Sequence, residues 1–174
     1  MLKDRIIVYT SGTFDMFHFN HLRMINYARS LGDILIVGVS TDELVASYKK
    51  EPPVIPFNER LQIIEALKTP DIVIPQRTLD HTEIVKKLNI DAFVVGDDWY
   101  GKYDYLKELG IEVFYFPYGS GVSSSSIKKT IHKSYEKSLQ NERNAKPISV
   151  KEFNMEDSIN GIERLYPSLQ DVEE

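Results

Sequence analysis

The sequence contains no cysteine, only one tryptophan, and no apolar run long enough to cross a membrane. The lack of cysteine excludes disulfide scaffolds, thiol nucleophiles and cysteine-ligated zinc or iron–sulfur sites. A membrane-spanning helix needs about 20 apolar residues in a row, and residues 1–5 lead straight into a β-like run rather than into a signal peptide. We therefore expect a cytoplasmic protein without a membrane partner.

An excess of basic charge is also absent. The 174 residues carry 21 Lys and Arg against 26 Asp and Glu, a formal net charge of −5. Residues 134–174 hold nine of the acidic and five of the basic groups, so this stretch accounts for −4 and the rest for −1. Binding to nucleic acid needs a basic face, so we expect no nucleic-acid partner. A small phosphorylated ligand held by a few cations is compatible with these charges.

What the sequence does contain is an alternation of two hydrophobic periods. Short apolar runs predict five strands, at residues 5–10, 34–39, 72–74, 92–95 and 112–116. Apolar residues at helical spacing predict five helices, at residues 21–31, 58–67, 82–88, 103–109 and 124–131. Strands that alternate with helices are typical of a parallel sheet covered on both faces. The predicted fold class is α/β: a Rossmann-like, doubly wound five-stranded parallel sheet of order 3-2-1-4-5 with a C-terminal extension.

The chain is predicted to divide into a first domain of residues 1–132 and an acidic, partly helical extension of residues 133–174. Residues 134–144 can prolong the preceding helix, and Pro147 would stop it. Further on, residues 149–152 have capping-box spacing and residues 159–166 form a short amphipathic stretch. The extension either docks loosely on the body or on a partner, or it is a solvated tail with no role in the chemistry.

Three polar segments directly follow predicted strands, at residues 11–15, 96–99 and 119–126. In open α/β sheets, ligands bind at the carboxyl ends of the strands, where the strand order reverses. For the order 3-2-1-4-5 the reversal lies between the first and fourth strands, so we expect Gly12 and Gly96 to line one crevice. The Gly- and Ser-rich segment at residues 119–126 is either a phosphate-binding turn or a flexible linker.

Two of the four histidines, His18 and His21, lie at the start of the first predicted helix. A helix N-terminus attracts phosphate, and two imidazoles beside it can donate hydrogen bonds to charge that develops on a phosphoryl oxygen. Two nitrogens make only half a metal site, so no metal site is predicted. The alternative is two surface histidines near a helix cap. We interpret His81 and His132 as surface residues.

Two further pairs of charged residues are candidates for the same crevice. Lys49 and Lys50 precede a Pro-Pro pair and can reach toward a triphosphate, although a Lys-Lys surface loop is also ordinary. Asp97 and Asp98 follow the fourth strand and can serve Mg²⁺, a base or a hydroxyl, or simply form a turn. Trp99 beside them would supply an apolar wall.

These residues carry a resemblance to a known family. Gly12-Thr13-Phe14-Asp15 followed by His18-Phe-Asn-His21 resembles the GTFD…HxGH signature of the cytidylyltransferase branch of the HIGH nucleotidyltransferases. The chain is most similar there to the glycerol-3-phosphate cytidylyltransferases, and the resemblance covers roughly residues 5–131. Further matching segments are at residues 32–33, 40–43, 59–60, 96–99 and 101–102.

The resemblance implies a reaction in which CTP and an alcohol phosphate give a CDP-alcohol and pyrophosphate. An acceptor phosphate oxygen attacks the α-phosphorus in line, Mg²⁺ accompanies the triphosphate, and no covalent enzyme intermediate forms. The family further implies a homodimer that makes precursors of cell-surface polymers. The acceptor can be glycerol 3-phosphate or a ribitol, ethanolamine or choline phosphate. Two alternatives are an adenylyltransferase and a nucleotide-binding regulatory protein without turnover.

By resemblance, matching positions also receive roles. His18, His21 and Lys50 would be catalytic, with Lys49 as the alternative lysine. Arg60 and Trp99 would contact the substrate. The nucleotide would be bound by Gly12, Thr13, Phe14, Asp15, Lys49, Gly96, Asp97, Asp98, Ser123 and Ser124.

Two positions depart from the family signature. The glycine of HxGH is Asn20 here, and the arginine that opens the family's triphosphate-binding loop is Tyr118. Either Lys128 or another cation replaces that arginine, or the affinity for CTP is reduced. The departures indicate a specialised relative whose acceptor can differ from glycerol phosphate.

Overall fold

The computed structural model describes residues 5–119 and 122–144, with the side chains of residues 142 and 144 excepted. By its contacts the chain separates into two units, Met1–Ile131 and His132–Glu174. The predictions for Pro147 and for residues 149–152 and 159–166 lie outside the described residues. No helix in the described ranges is long and apolar enough to span a bilayer.

Five parallel strands form a single sheet, and their order β3-β2-β1-β4-β5 confirms the predicted fold. The central strand β1 pairs with β2 on one side and with β4 on the other. The point at which the strand order reverses therefore lies between β1 and β4, as expected. The bounds are β1 Ile7–Gly12, β2 Ile34–Ser40, β3 Ile72–Gln76, β4 Ala92–Gly96 and β5 Glu112–Phe116.

Helices follow the strands, as the hydrophobic periods predict. Three differences appear: residues 104–109 form a 3₁₀ helix rather than an α-helix, and neither α2 nor the 3₁₀ helix at residues 97–99 was expected. Thr41 caps α2 by accepting a hydrogen bond from the Leu44 N–H at 3.3 Å. The bounds are α1 Phe19–Arg29, α2 Asp42–Tyr48, α3 Phe57–Glu65, α4 Thr82–Lys87 and α5 Ser124–Asn144, with 3₁₀ helices at Asp97–Trp99 and Asp104–Leu109. The extent of α5 confirms that residues 134–144 prolong the last helix.

The core consists of two layers, one on each face of the sheet. Neighbouring residues of a strand point to opposite faces, so Val8 packs in one layer with Ile25 of α1 and Ile64 of α3. Tyr9 packs in the other layer with Phe93, and both side chains are almost completely buried. Burial of both faces explains why β1 and β4 are continuous apolar runs rather than alternating ones.

His81 is a correction to the sequence interpretation, because its side chain is buried and not at the surface. It is 1% exposed and lies against the rings of Tyr9, Phe93 and Tyr103. Burial lowers the pKa of His81 to about 4. A lone histidine in a loop before a short helix shows no periodicity, so the sequence gives no sign of this burial. His132 is exposed as expected, 3.2 Å from Glu136 Oε1.

Candidate active site

A cavity of about 730 Å³ lies at the carboxyl ends of β1 and β4. Its lining includes residues from all three predicted post-strand segments and from the start of α1, which confirms that the fold brings these segments together. The pairing of β1 with β4 brings the segments after these strands together. Thr10 of β1 lies opposite Val94 of β4, and the Thr10 hydroxyl donates a hydrogen bond to the Val94 carbonyl at 2.8 Å. Both strands then end beside each other, at Gly12 and Gly96.

The two histidines of the motif form a stacked pair at the beginning of α1. Their ring centroids are 3.8 Å apart and the planes differ by 21°. The His18 N–H donates to Nδ1 of His21 at 3.4 Å, so in the neutral ring the proton of His21 is on Nε2. The rings of Phe14 and Phe17 contact His21 and fix its orientation.

The pKa values of both histidines are lowered, which favours their neutral forms. Burial, first, and the neighbouring His18, second, together lower the pKa of His21 to about 3. Burial also lowers the pKa of His18. Neutral imidazoles act as hydrogen-bond donors rather than as acids, which suits stabilisation of charge on a phosphoryl oxygen. Within the described part of the chain, the buried Nδ1 of His18 has no hydrogen-bond partner.

The loop between β1 and α1 has an unusual backbone. Phe14 and Met16 adopt left-handed conformations, with φ of 53° and 52°. Such conformations persist where the surroundings enforce them and often occur at functional sites. The buried Phe14 ring packs beneath Gly12, since a Cβ on Gly12 would lie only 3.3 Å from Phe14 Cζ.

Asp15 holds three separate segments together. Its Oδ1 accepts hydrogen bonds from the Val54 and Ile55 N–H groups, both at 3.0 Å, and its Oδ2 is 3.3 Å from Lys128 Nζ. Ser124 Oγ donates to the Asp15 carbonyl at 2.6 Å. Burial alone would raise the pKa of the Asp15 carboxyl, but these hydrogen bonds and Lys128 outweigh it and lower the pKa. Asp15 therefore organises the cavity wall as an anion.

Arg60 occupies a position different from the one expected of a substrate-binding residue. Its side chain is completely buried behind the cavity wall. Nη2 is 2.6 Å from Asp42 Oδ1, Nε donates to the Ile55 carbonyl at 2.8 Å, and Nη1 donates to the Thr13 carbonyl. With its donors used in this way, Arg60 positions Thr13 and the loop of residues 49–56, which we call the lysine loop, rather than a ligand.

Of the two candidate lysines, Lys49 has the contacts to the cavity wall. Its Nζ is 3.4 Å from Thr13 Oγ1 and 5.7 Å from the ring centroid of Tyr48. Partial burial lowers the pKa of Lys49. Lys50 also lines the cavity, and both lysines are exposed. The sequence missed Tyr48, whose hydroxyl is 3.2 Å from Thr13 Oγ1, because α2 was not predicted.

The two aspartates after β4 have different surroundings. Asp98 and Trp99 line the cavity, whereas Asp97 Oδ1 accepts a hydrogen bond from the Tyr118 N–H at 3.4 Å. Burial and the adjacent Asp97 raise the pKa of Asp98. Gly96 is required here, because a Cβ would lie 2.2 Å from Tyr118 Cε2.

Tyr118 forms part of the cavity wall at the position where the family signature has an arginine. Its hydroxyl donates to Met24 Sδ at 3.4 Å, and its ring meets Phe116 edge to face. Burial raises the pKa of the Tyr118 hydroxyl, so the side chain is uncharged. This wall therefore supplies no cation from position 118.

The serines after β5 cap a helix. Ser126 N–H donates to Ser123 Oγ at 3.1 Å and Ser123 N–H donates to Ser126 Oγ at 2.8 Å. This reciprocal arrangement starts α5 at Ser124, and both Ser123 and Ser124 line the cavity. We call residues 122–126 the serine segment. Residues 124–126 lie in α5 and so do not form a flexible linker. A helix N-terminus facing a cavity favours bound phosphate, so phosphate binding by this segment stays a prediction.

Comparisons with known proteins show which sequences and structures this chain is similar to. The cytidylyltransferase-like family model matches residues 9–152. Glycerol-3-phosphate cytidylyltransferase of Bacillus spizizenii is 42% identical over 123 residues, covering 70% of this chain and 94% of the relative. The Staphylococcus aureus enzyme of the same name is 36% identical over 129 residues, 74% of this chain and 95% of that relative. The solved structure of a lipopolysaccharide core biosynthesis protein from Thermoplasma volcanium matches with a TM-score of 0.57, 28% identity and coverage of 66% and 99%.

Proposed function

The chain belongs to the cytidylyltransferase-like family, and we propose that it transfers CMP from CTP to glycerol 3-phosphate or a similar small alcohol phosphate. The observation that carries the proposal is the neutral, stacked pair of His18 and His21 at the start of α1, in a cavity that also holds Lys49 and Lys128. Donors and cations at one place suit a phosphoryl group that gains negative charge during reaction.

In the proposed reaction an oxygen of the acceptor phosphate attacks the α-phosphorus of CTP. A new P–O bond forms to the acceptor as the bond from the α-phosphorus to the bridging oxygen breaks, and pyrophosphate leaves with the electron pair. The Nε2–H of His21 and the N–H of the His18 ring donate to the non-bridging oxygens of the α-phosphate. Lys49, whose Nζ is beside Thr13, offsets charge on the reacting phosphates. No proton has to pass through the protein in this step.

Mg²⁺ enters the proposal with the nucleotide. Among residues 5–119 and 122–144, no group of three His, Asp or Glu side chains could hold a metal ion, and Asp15 already has partners on both oxygens. These observations favour an ion that arrives with the nucleotide over one held by the protein alone. Mg²⁺ prefers phosphate oxygens and water over a protein cage, so we assign it to the CTP complex.

The resemblance to the family supports three further proposals, on location, oligomeric state and product use. We propose that the enzyme acts in the cytoplasm as a homodimer and supplies a precursor of a cell-surface polymer. Size-exclusion chromatography with light scattering tests the dimer: a mass near twice the 20.1 kDa of one chain supports it. A mass near 20.1 kDa at micromolar concentration would contradict it.

The proposed function is tested by a substrate screen. The purified protein is incubated with CTP and Mg²⁺ and with glycerol 3-phosphate, ribitol, ethanolamine or choline phosphate, and pyrophosphate release is followed. We expect release that depends on one of these acceptors and is faster with CTP than with ATP. Preference for ATP would support an adenylyltransferase instead. Binding of CTP without release with any acceptor would support a regulatory protein.

A further inference from the structure

Asn20 is a buried polar residue in the first turn of α1, between the two histidines in the sequence. Its side chain is 5% exposed and lines the cavity. Asn20 Nδ2 donates to the Val122 carbonyl at 2.9 Å, a contact across 102 residues, and Asn20 Oδ1 accepts from Arg23 Nη1 at 3.3 Å. The amide therefore joins the histidine helix to the serine segment.

The chemistry of the two partners permits only one orientation of the amide. A carbonyl can only accept, and a guanidinium can only donate. Nδ2 must therefore face Val122 and Oδ1 must face Arg23, and a flipped amide would lose both hydrogen bonds. Each end of Asn20 thus has a partner that no other orientation satisfies, which is how a buried amide fixes a geometry.

Arg23 is itself held in place on the far side of the amide. Its guanidinium lies over the Phe116 ring, 5.3 Å from the centroid. It also passes close to Gly119, where a Cβ would lie 3.0 Å from Arg23 Nη1. Arg23 thereby contacts the end of β5 and the backbone just after it, and brings a positive charge near the segment whose neighbour Tyr118 is neutral.

We propose that Asn20, oriented by Arg23, is a positioning residue that fixes the serine segment relative to the stacked histidines. This inference rests on the proposed function, because the two groups so aligned would bind the two ends of the triphosphate of CTP. The serine segment would hold the β- and γ-phosphates and the histidines would face the α-phosphate. On the other side, Ser124 Oγ anchors the same segment to the Asp15 carbonyl, so Asn20 supplies the second of two attachments.

Asn20→Asp is the sharpest variant, because it is isosteric and keeps the acceptor for Arg23 while it removes the donor to Val122. Asn20→Ala removes both hydrogen bonds. Arg23→Lys retains a donor for Asn20 Oδ1 and is the conservative variant. Asn26→Ala on the same helix is the matched control, since Asn26 is exposed and contacts Thr69 at 3.2 Å, far along α1.

Two readouts separate this inference from the proposed function. Hydrogen exchange of a peptide that covers the serine segment is measured without nucleotide, and KM for CTP and kcat are measured with the acceptor found in the screen. We expect both Asn20 variants to increase exchange at least fivefold and to raise KM for CTP about tenfold, equivalent to about 1.4 kcal/mol. The value of kcat should change less than threefold, and Arg23→Lys and Asn26→Ala should resemble the unaltered protein.

Unchanged exchange in Asn20→Asp would overturn the attachment, whatever the enzyme does with CTP. Increased exchange with an unchanged KM for CTP would overturn the positioning role. An equal loss of kcat and affinity in both variants, with a lowered melting temperature, would assign Asn20 a merely structural role and also overturn it. If the unaltered protein neither binds nor turns over CTP, the proposed function fails first and the exchange result still decides the attachment.

Discussion

The cavity has two sides that are held by different forces. On one side, which we call the charged corner (Asp15, Asp42, Arg60 and Lys128), ion pairs at 2.6 and 3.3 Å join α2, α3, α5 and the loop before α1. On the other side, the serine segment is attached through hydrogen bonds of neutral groups: Asn20 Nδ2 donates to the Val122 carbonyl, and Ser124 Oγ donates to the backbone carbonyl of Asp15, where the two sides meet. Within the charged corner the Arg60 side chain is fully enclosed, whereas its partner Asp42 is half-exposed.

The two sides of the cavity should therefore tolerate amino-acid substitutions to different degrees. Removing one member of a buried, charge-assisted contact is costly, because the remaining partners stay unpaired. Neutral hydrogen bonds at a partly exposed segment contribute about 1 kcal/mol each. The departures from the family signature, Asn20 and Tyr118, both lie on the neutral side. We therefore expect the charged corner to determine stability and the serine segment to determine nucleotide affinity.

Arg60→Ala should have the largest effect and should act on stability. It leaves the Thr13 and Ile55 carbonyls without a donor and opens a void behind the lysine loop, so unfolding free energy should fall by about 3 kcal/mol. Urea denaturation measures this. Arg29→Ala is the matched control, because Arg29 is partly exposed and 3.6 Å from Asp71, and its loss should cost less than about 1 kcal/mol. Equal losses for the two variants would contradict the contrast between the two sides.

The second largest expected effect is that of acid: the free energy of unfolding should fall as the pH is lowered, because of His21. The unfolded protein binds a proton at His21 near pH 6.5, whereas the folded protein resists protonation until about pH 3. The contribution of His21 is therefore complete above pH 6.5 and is lost as pH falls toward 3, at up to about 1.4 kcal/mol per pH unit. Between pH 6.5 and 5 this amounts to about 2 kcal/mol.

The variant His21→Asn tests this assignment. It should flatten the pH dependence of the urea midpoint between pH 6.5 and 4, and His132→Asn, which alters an exposed histidine, should leave it unchanged. An unaltered slope in His21→Asn would mean that other groups cause the acid sensitivity. The buried His81 contributes in the same direction, with its folded pKa of about 4.

Lys49→Ala should lower kcat/KM about tenfold, a loss of about 1.4 kcal/mol in transition-state stabilisation. The reason is that Lys49 Nζ approaches Thr13 at the reacting end of the cavity. Lys50→Ala is the natural control, and we expect it to lower kcat/KM less than threefold. The reverse order would restore the assignment to Lys50 that the sequence favours.

Tyr118→Arg should have the smallest effect and the opposite sign. A cation at this part of the wall should improve CTP affinity roughly threefold, worth somewhat under 1 kcal/mol as expected of a partly solvated charge. Titration calorimetry with CTP and Mg²⁺ measures it. Tyr118→Phe controls for the lost contact between the hydroxyl and Met24 Sδ. Weaker CTP binding by Tyr118→Arg would contradict this expectation. It would show that the tyrosine ring, which packs closely against Gly96, is itself needed for the shape of the cavity wall.

The sequence predicts the sheet and the meeting of its loops, because both follow from local patterns. Apolar β-branched runs mark the strands, and a parallel sheet brings their carboxyl ends to one edge. The GTFD and HxxH motifs resemble the family signature, and the family model that matches residues 9–152 confirms the assignment.

Burial of polar residues could not be predicted in the same way. Arg60 and His81 are enclosed by segments distant in sequence, and their own neighbours show no pattern that signals it. The choice of Lys49 over Lys50 depends on how α2 ends at Tyr48, and α2 is only seven residues long, too short for its hydrophobic period to stand out. The bond from Asn20 to Val122 joins residues 102 positions apart, and such pairs become visible only in the folded chain.

The central claim, direct transfer of CMP to an alcohol phosphate, is tested by isotope labelling. Glycerol 3-phosphate with ¹⁸O in its phosphoryl group is incubated with the protein, CTP and Mg²⁺, and the products are analysed by ³¹P NMR and mass spectrometry. The account predicts CDP-glycerol with ¹⁸O in the bridge between its two phosphorus atoms and pyrophosphate without label. Label in the pyrophosphate, or a CDP-alcohol whose bridging oxygen carries no label, would contradict direct transfer. If the screen identifies another acceptor, its ¹⁸O-labelled phosphate replaces glycerol 3-phosphate in this experiment.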